Sequence, residues 1–435
     1  MIDILRYPAD KETAKFEAIT RARGAIDPQV EQTVRQILDT VRQRGDAAVA
    51  EFTHEFDQVQ LAPGDFRVSG EALSAALEAL AVDLRQAIEA AVDNIRAFHQ
   101  RQSSNSWFME DGDGVILGKK VTPIRRVGIC VPAGQVPLFS SLMMAAVPAQ
   151  VAGVEEICVV SPPQADGRPH PTIMGVAHLL GLDEVYALGG AQAVAAMAWG
   201  TETIAQVDKI VGPGSPYTVA AQQQVFGQVG IALLPGPSEI VVLADANANP
   251  VFVAADLLSQ AEHGWEAAAV CITPAETLAL QIQEEVERQL AHLPRAEVMR
   301  QALQALGAIV VVPDMETGIE LTNAMAPEHV ELLVDEPWGL LDSVRHAGAI
   351  FLGAASTEPV GDYFAGTNHI LPIGRAARFA SSLGVADFVK NTSIIAYTEA
   401  RLDQVGEQIA TLAEAESLAA HAQAVRVRLT ERRSD

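Results

Sequence analysis

From residue 127 onward the chain repeats one texture: a short apolar run, then a stretch with helical spacing. The runs fall at 127–131, 157–161, 185–188 and 209–211, and again at 240–244, 268–272, 309–312, 330–334 and 350–352. Apolar, bounded runs alternating with helical pattern are the signature of parallel strands buried on both faces, joined by crossover helices. The texture therefore predicts two α/β units with parallel sheets, and similarity between them is of pattern only. The break between the series falls around Leu234-Pro235-Gly236-Pro237, where prolines interrupt helix and strand alike.

Ahead of the first series, an N-terminal arm ends near Arg23-Gly24. Asp27-Pro28 then offers an N-cap with proline in the first helical turn. Val30, Val34, Ile37, Leu38 and Val41 fall on one face of the helix that follows, and Gly45 supplies its stop. Helical pattern resumes over residues 71–98. After Phe388 the apolar strands stop, and mostly helical, charged sequence is expected to the end.

With 435 residues the chain exceeds what one hydrophobic core usually supports, so two or three compact units are expected. Apolar runs are too short to cross a bilayer, and Met1-Ile2-Asp3-Ile4-Leu5-Arg6 carries charge where a signal peptide is apolar. Cytoplasmic residence is the expectation. The net charge of -25 repels phosphate backbones and the Lys and Arg residues are scattered, so the expected partner is a small molecule, neither nucleic acid nor membrane. Cys130, Cys158 and Cys271 lack metal-like spacing and sit in apolar runs, as buried thiols do.

Glycine turns close three runs of the first series: Pro132-Ala133-Gly134, Gly189-Gly190-Ala191-Gln192 and Gly212-Pro213-Gly214-Ser215. Backbone amides and helix N-termini at that sheet edge suit a phosphate-bearing ligand. None of these turns has the Gly-x-Gly-x-x-Gly spacing, so each alone reads first as a structural β-to-α connection, and only their grouping speaks for a ligand.

A second constellation carries chemistry. Gln260 and His263 lie three apart in an Ala/Leu-rich segment, Asp362 follows a glycine, and His421 stands near the end. On a helix the first two share a face, and together these residues offer nitrogen and oxygen donors suited to zinc. Pro327-Glu328-His329 adds an acid and an imidazole at the entrance of a strand. Adjacent strand residues point to opposite faces, so these two share a site only if the strand begins irregularly; otherwise they are a solvated strand entrance. On spacing alone a zinc hydrolase or a non-catalytic metal-binding chain remains open.

The chain resembles the histidinol dehydrogenase family over essentially its whole length. The resemblance is carried by Gly236-Pro237-Ser238-Glu239, the run from Asp256 through Ser259-Gln260-Ala261-Glu262-His263-Gly264, Pro327-Glu328-His329, Gly361-Asp362, Gly366-Thr367-Asn368-His369-Ile370-Leu371-Pro372, and the closing Glu416 and His421. It implies a zinc-dependent enzyme that oxidises L-histidinol to L-histidine through the aldehyde, using two NAD in succession. By the same resemblance Gln260, His263, Asp362 and His421 hold zinc, and Ser238, His329 and Glu416 join them in holding substrate. His329 takes the hydroxyl proton in the first step, and Glu328 activates water in the second. Cys130, Gln192 and Ser215 occupy cofactor positions. Cys130 stands where the family commonly has tyrosine, Ser215 where it has asparagine and Gln222 where it has lysine, so a paralogue acting on another amino or anionic alcohol is the alternative.

Family members are homodimers whose tail crosses to the partner. Five residues along a continuous helix turn through about 140°, so Glu416 and His421 face one site only if the helix breaks near Leu418. The expected fold is thus two incomplete Rossmann-like parallel-sheet domains with an N-terminal helical arm and a C-terminal helical tail. The arm spans residues 1–24. A metal and catalytic domain is assembled from 25–126 and 239–380, a cofactor domain from 127–238, and a swapped tail from 381–435.

Overall fold

The computed structural model describes residues 1–21, 26–112, 114–133, 136–234 and 236–430. The expected arm end at Arg23-Gly24, Gly134 of the first glycine turn and Pro235 of the series break lie outside the described residues. Two compact units make up the chain: Met1–Gln102 with Ile124–Phe388, and Ser103–Pro123 with Val389–Asp435.

In the first unit, residues set apart as an arm contribute strand β1 (Asp3–Arg6). Helix α1 (Pro28–Arg44) starts where Asp27 accepts a bond from the Gln29 amide, ends at Gly45 with φ 55°, and buries Val34, Ile37, Leu38 and Val41. Helix α2 (Asp46–Asp57) follows directly. The helical pattern over 71–98 is two helices, Gly70–Glu78 and Val82–Gln100.

Strands β2 (Arg126–Cys130), β3 (Glu156–Ser161), β4 (Val185–Ala187), β5 (Lys209–Val211) and β6 (Gly230–Ile231) form a parallel sheet in the order β4-β3-β2-β5-β6. Helices α3 (Phe139–Ala152), α4 (Gly190–Trp199) and α5 (Pro216–Val225) are among its crossovers. Strands β7 (Glu239–Ala244), β8 (Ala268–Thr273), β9 (Ala308–Val311), β10 (His329–Leu333) and β11 (Ala349–Leu352) join β1 in a second parallel sheet, ordered β1-β9-β8-β7-β10-β11. Helix α6 (Pro250–Ala261) connects β7 to β8, and the short α7 (Glu358–Tyr363) follows β11. Every residue of β2, β7, β8 and β10 is buried, which is why these strands read as mainly apolar runs, with Arg126, Glu239, His329 and Glu331 among the buried polar exceptions. Alternate residues feed opposite faces: Ile240 and Val242 enter one core, Val241 and Leu243 the other. Cys130, Cys158 and Cys271 are buried free thiols, as expected.

In both sheets the strand order reverses beside the first strand of the series, between β2 and β5 and between β7 and β10. Open α/β sheets take ligands at the carboxyl side of such switch points. The first sheet keeps that edge open. The second closes it with its own side chains: Asp245 Oδ2 accepts from the Asp335 amide at 2.7 Å, and Asn247 Nδ2 donates to Asp335 Oδ2 at 2.7 Å.

The second unit holds an antiparallel sheet of Val389–Tyr397, Val115–Pro123 and Trp107–Glu110. The expectation that strands stop after Phe388 is therefore corrected. Lys390, Asn391, Thr392 and Ser393 are exposed on this strand, so no apolar run announces it. The helices Glu399–Ala415 and Ala419–Thr430 follow, separated where Ser417 adopts φ 63°, and so the break expected near Leu418 is present. Among the described residues, no helix is long and apolar enough to cross a membrane.

Candidate active site

Helix α6 carries two kinds of residue that rarely share a buried helix. Val253, Ala254, Leu257, Leu258 and Ala261 pack into a core. Asp256, Ser259 and Gln260, with His263 just beyond the helix end, recur at i, i+3, i+4 and i+7 and so form a polar stripe. A polar group buried without a partner costs roughly 2–7 kcal/mol, so this stripe persists only because partners meet it. They come from α7 and β10.

Glu358 opens α7, is fully buried, accepts from Ser259 Oγ at 3.2 Å and lies 3.6 Å from His263 Nε2. The Gln260 amide, with its nitrogen towards Glu358, donates to Oε1 at 3.0 Å and Oε2 at 3.3 Å. Turned over, it sets an acceptor against two acceptors, an arrangement that a cation between them would stabilise. Asp362, one helical turn beyond Glu358, completes the group. One donor atom each from His263, Glu358 and Asp362 lie within 4.8 Å of one another.

At the entrance of β10, Ala326 turns the chain with φ 47° and brings Glu328 and His329 onto the same site. Both are buried, 4% and 3% exposed, which removes the solvated-entrance alternative. Glu328 Oε2 accepts from the Glu239 amide at 3.0 Å and lies 3.5 Å from His329 Nδ1. His329 Nδ1 also sits 3.2 Å from the Glu239 carbonyl oxygen, so Nδ1–H donates there and Nε2 keeps its lone pair. That Nε2 is buried, has no hydrogen-bond partner among the described residues, and lies 3.9 Å from Asp362 Oδ1.

Behind this layer, Glu331 shares the His329 face of β10, two residues along. It accepts from the Glu358 amide at 2.7 Å, while Thr357 Oγ1 donates to Asp256 Oδ1 at 2.6 Å. These two bonds pin the start of α7 to both β10 and α6. Burial, reinforced by the neighbouring Asp256, pushes the Glu331 carboxyl up to about 10, so it carries a proton at neutral pH. His369 holds Asp362 from the other side: its Nδ1 bonds the Asp362 carbonyl oxygen at 2.9 Å, and its Nε2 meets Ser141 Oγ of α3 at 3.2 Å.

Burial raises Glu328 well above the usual carboxylate range, and it raises Asp362 to about 7 with help from Glu358. Burial works to raise Glu358 too, but His263, His329 and Ser259 hold it below its ordinary value. For His263 burial acts downward and the Glu358 and Asp362 carboxylates outweigh it, so the imidazole attracts a proton. Buried His329 is pushed the other way and stays neutral. The cluster thus draws positive charge to one point, and its imidazole, amide and carboxylate donors fit a zinc-class cation.

The structure brings Gln260, His263, Asp362, Glu328 and His329 together and sets Ser238 immediately before Glu239, whose amide holds Glu328. Glu416 and His421 belong to the second unit, where both are exposed. Sequence reading missed Glu358. Its signal was the i, i+4 spacing to Asp362, which places two carboxylates on one helical face. The whole group stands at the amino edge of the second sheet, where β7 and β10 begin and α6 ends, opposite the edge that Asp245 and Asp335 close.

Cys130, Gln192 and Ser215 meet elsewhere. All three line a cavity of about 450 Å³ at the carboxyl edge of the first sheet, over the β2/β5 switch point. Gly212, at φ 107°, lets β5 leave that edge, because a Cβ there would collide with the Cys130 carbonyl oxygen. Gln222 lies under the same turn, donating to the Gly212 carbonyl oxygen at 3.1 Å. Asp57, Phe56, Thr33 and Ile37 of α1 and α2 complete the wall and were not anticipated from the sequence.

A family model described as histidinol dehydrogenase matches residues 20–429. Similar curated proteins include histidinol dehydrogenase of Geobacillus kaustophilus, 48% identical across 94% of this chain and 96% of that protein. Histidinol dehydrogenase of Syntrophotalea carbinolica is 47% identical across 99% of both chains. Among solved structures, histidinol dehydrogenase from Elizabethkingia anophelis is similar with a TM-score of 0.92 and 37% identity, covering 99% of this chain and 98% of that one.

Proposed function

The chain belongs to the histidinol dehydrogenase family, NAD-dependent oxidoreductases of histidine biosynthesis, and we propose that it oxidises L-histidinol to L-histidine through the aldehyde, with one zinc ion per subunit and two NAD. The observation that carries this reading is the convergence of His263, Glu358 and Asp362 beside a buried histidine whose Nε2 has no hydrogen-bond partner among the described residues.

In this proposal Gln260, His263 and Asp362 hold zinc, and His421 of the other subunit completes the set. Bound there, zinc supplies a fixed positive charge that orients the substrate and favours loss of its hydroxyl proton. Glu358 positions Gln260 and His263 through the contacts described. His329, neutral and with Nδ1 committed to the Glu239 carbonyl, takes the hydroxyl proton at Nε2 while hydride leaves the carbinol carbon. Glu328 then removes a proton from water attacking the aldehyde; burial, by raising its pKa, makes it a stronger base than a solvated carboxylate. The singly deprotonated hydrate formed by that attack gives its hydride to the second NAD and then loses its remaining hydroxyl proton, leaving the carboxylate. Ser238, His329 and Glu416 help to hold the substrate, and the cavity lined by Cys130, Gln192 and Ser215 takes NAD.

We assign the molecule to a homodimer, because the second unit carries Glu416 and His421 and also exposes Trp107, Phe108, Ile395 and Leu412, 49%, 61%, 71% and 70% respectively. Cytoplasmic residence accords with a biosynthetic enzyme that draws on soluble NAD.

The test mixes purified protein with L-histidinol and NAD and follows absorbance of the reduced nicotinamide. Turnover is expected, is lost on chelation while far-ultraviolet circular dichroism stays unchanged, and returns with zinc. Absence of NAD reduction with L-histidinol in zinc-loaded protein, or full turnover in rigorously metal-free protein, would overturn the proposal.

A further inference from the structure

Asp57 is the last residue of α2 and lines the cavity at the carboxyl edge of the first sheet. Two features of that place disfavour a carboxylate. The negative end of a helix macrodipole disfavours an anion, and burial pushes Asp57 up to about 6. Its contact with Gln192 Nε2 is long, at 3.5 Å. Gln192 itself is only 1% exposed, and its Oε1 has no partner among the described residues. Two acceptors on one cavity wall thus await donors.

Their position suggests which donors. In dinucleotide-binding sheets an acid near the end of the second strand of the series commonly binds a ribose. Here that strand is β3, which runs into Ser161-Pro162-Pro163 and carries no acid at its end. Val160 and Pro162 line the same cavity as Asp57 and Gln192, so α2 delivers from the flank the carboxylate that β3 lacks. A vicinal diol supplies two O–H donors to one carboxylate, whereas a phosphate on the same ring sets anion against anion.

We propose that Asp57, with Gln192 Oε1 beside it, holds the adenosine ribose hydroxyls of the dinucleotide and thereby selects NAD over its 2′-phosphorylated counterpart. This rests on the reading of the cavity as the NAD site.

The test measures dissociation constants for NAD and NADP by isothermal titration calorimetry, without turnover, together with initial rates of full-length, zinc-loaded enzyme with L-histidinol against both cofactors. It compares wild type, Asp57→Asn, Asp57→Ala and a cavity-filling Ala133→Trp, and KM and Kd are expected to move together. Loss of a charge-assisted hydrogen bond is worth about tenfold or more in binding. Both Asp57 variants should therefore raise KM for NAD by about that factor, with a smaller change in kcat, and move the NADP-to-NAD ratio of kcat/KM upward by about as much. That ratio does not depend on the folded fraction, so a partly unfolded preparation still decides. Ala133→Trp should raise KM for NAD. If it does while both Asp57 variants keep the wild-type KM and ratio, the role of Asp57 is overturned and the cavity stands. If Ala133→Trp leaves KM unchanged, NAD binds elsewhere and both readings fall.

Discussion

Glu328 and His329 are chain neighbours with opposite electrostatic fates, because burial acts on an acid and on a base in opposite directions. One becomes a stronger base than a free carboxylate, the other a neutral imidazole with one committed nitrogen. Their tasks should separate in the two half-reactions. Glu328→Gln is expected to slow oxidation of the aldehyde by about 10²–10⁴-fold and oxidation of the alcohol much less, whereas His329→Asn should impair the alcohol step. Single-turnover rates on each substrate check this, and equal losses in both steps for both variants would contradict the division. The pairing of Gln260 with His263 was legible because helical period alone sets it. The part played by Glu358 was not, since its contacts depend on how α7 docks against α6 and β10. The Asp256 and Glu331 layer was hidden for the same reason: neither residue is unusual until a third element brings them together.

At the scale of the element, Arg126 ties three strands of the first sheet together at its amino edge. Arg126 opens β2, bonds Glu156 of β3 at 2.8 Å, and bonds Glu184, just ahead of β4, at 2.8 Å and 2.5 Å. Burial works to raise Glu184, but the bonds from Arg126 and from Tyr186 hold it below the usual carboxylate range. A depressed carboxylate adds stability above its unfolded pKa of about 4.3 and loses it as pH falls through the lower folded value. Glu184→Gln removes the charge-assisted bonds from Glu184 and leaves Arg126 paired with Glu156, so it should cost about 1.5–3 kcal/mol at pH 7. The gap between variant and wild type should shrink as pH drops below about 4. Urea melts at both pH values measure this, and a gap that widens in acid would refute it. Strands of this sheet were legible because both their faces are buried. Residues 389–397 were not, because a strand with exposed polar side chains has no hydrophobic period to read.

For the molecule as a whole, the decisive question is which subunit completes each site. In a homodimer with crossed tails, inactive His421→Ala mixed with inactive His263→Ala forms heterodimers in which one site collects both lesions and the other neither. Random pairing of equal amounts should then restore up to about a quarter of wild-type activity, measured after subunit exchange is shown by mass spectrometry. No recovery despite exchange would place His421 in its own subunit's site. The two sheets share one strand order yet carry their candidate sites at opposite edges, the cavity at the carboxyl edge of the first and the donor cluster at the amino edge of the second. Fold topology was readable from the texture of the chain, but the edge carrying the candidate site was not, because it depends on which end of a helix carries the polar stripe. The closed edge at Asp245, Asn247 and Asp335 gives the second sheet a vacant port. It has the geometry by which related sheets acquire new ligands, stoppered by hydrogen bonds from the Asp335 amide to Asp245 and from Asn247 to the Asp335 carboxylate, so a lineage could open it to a regulator without disturbing a single donor of the candidate site.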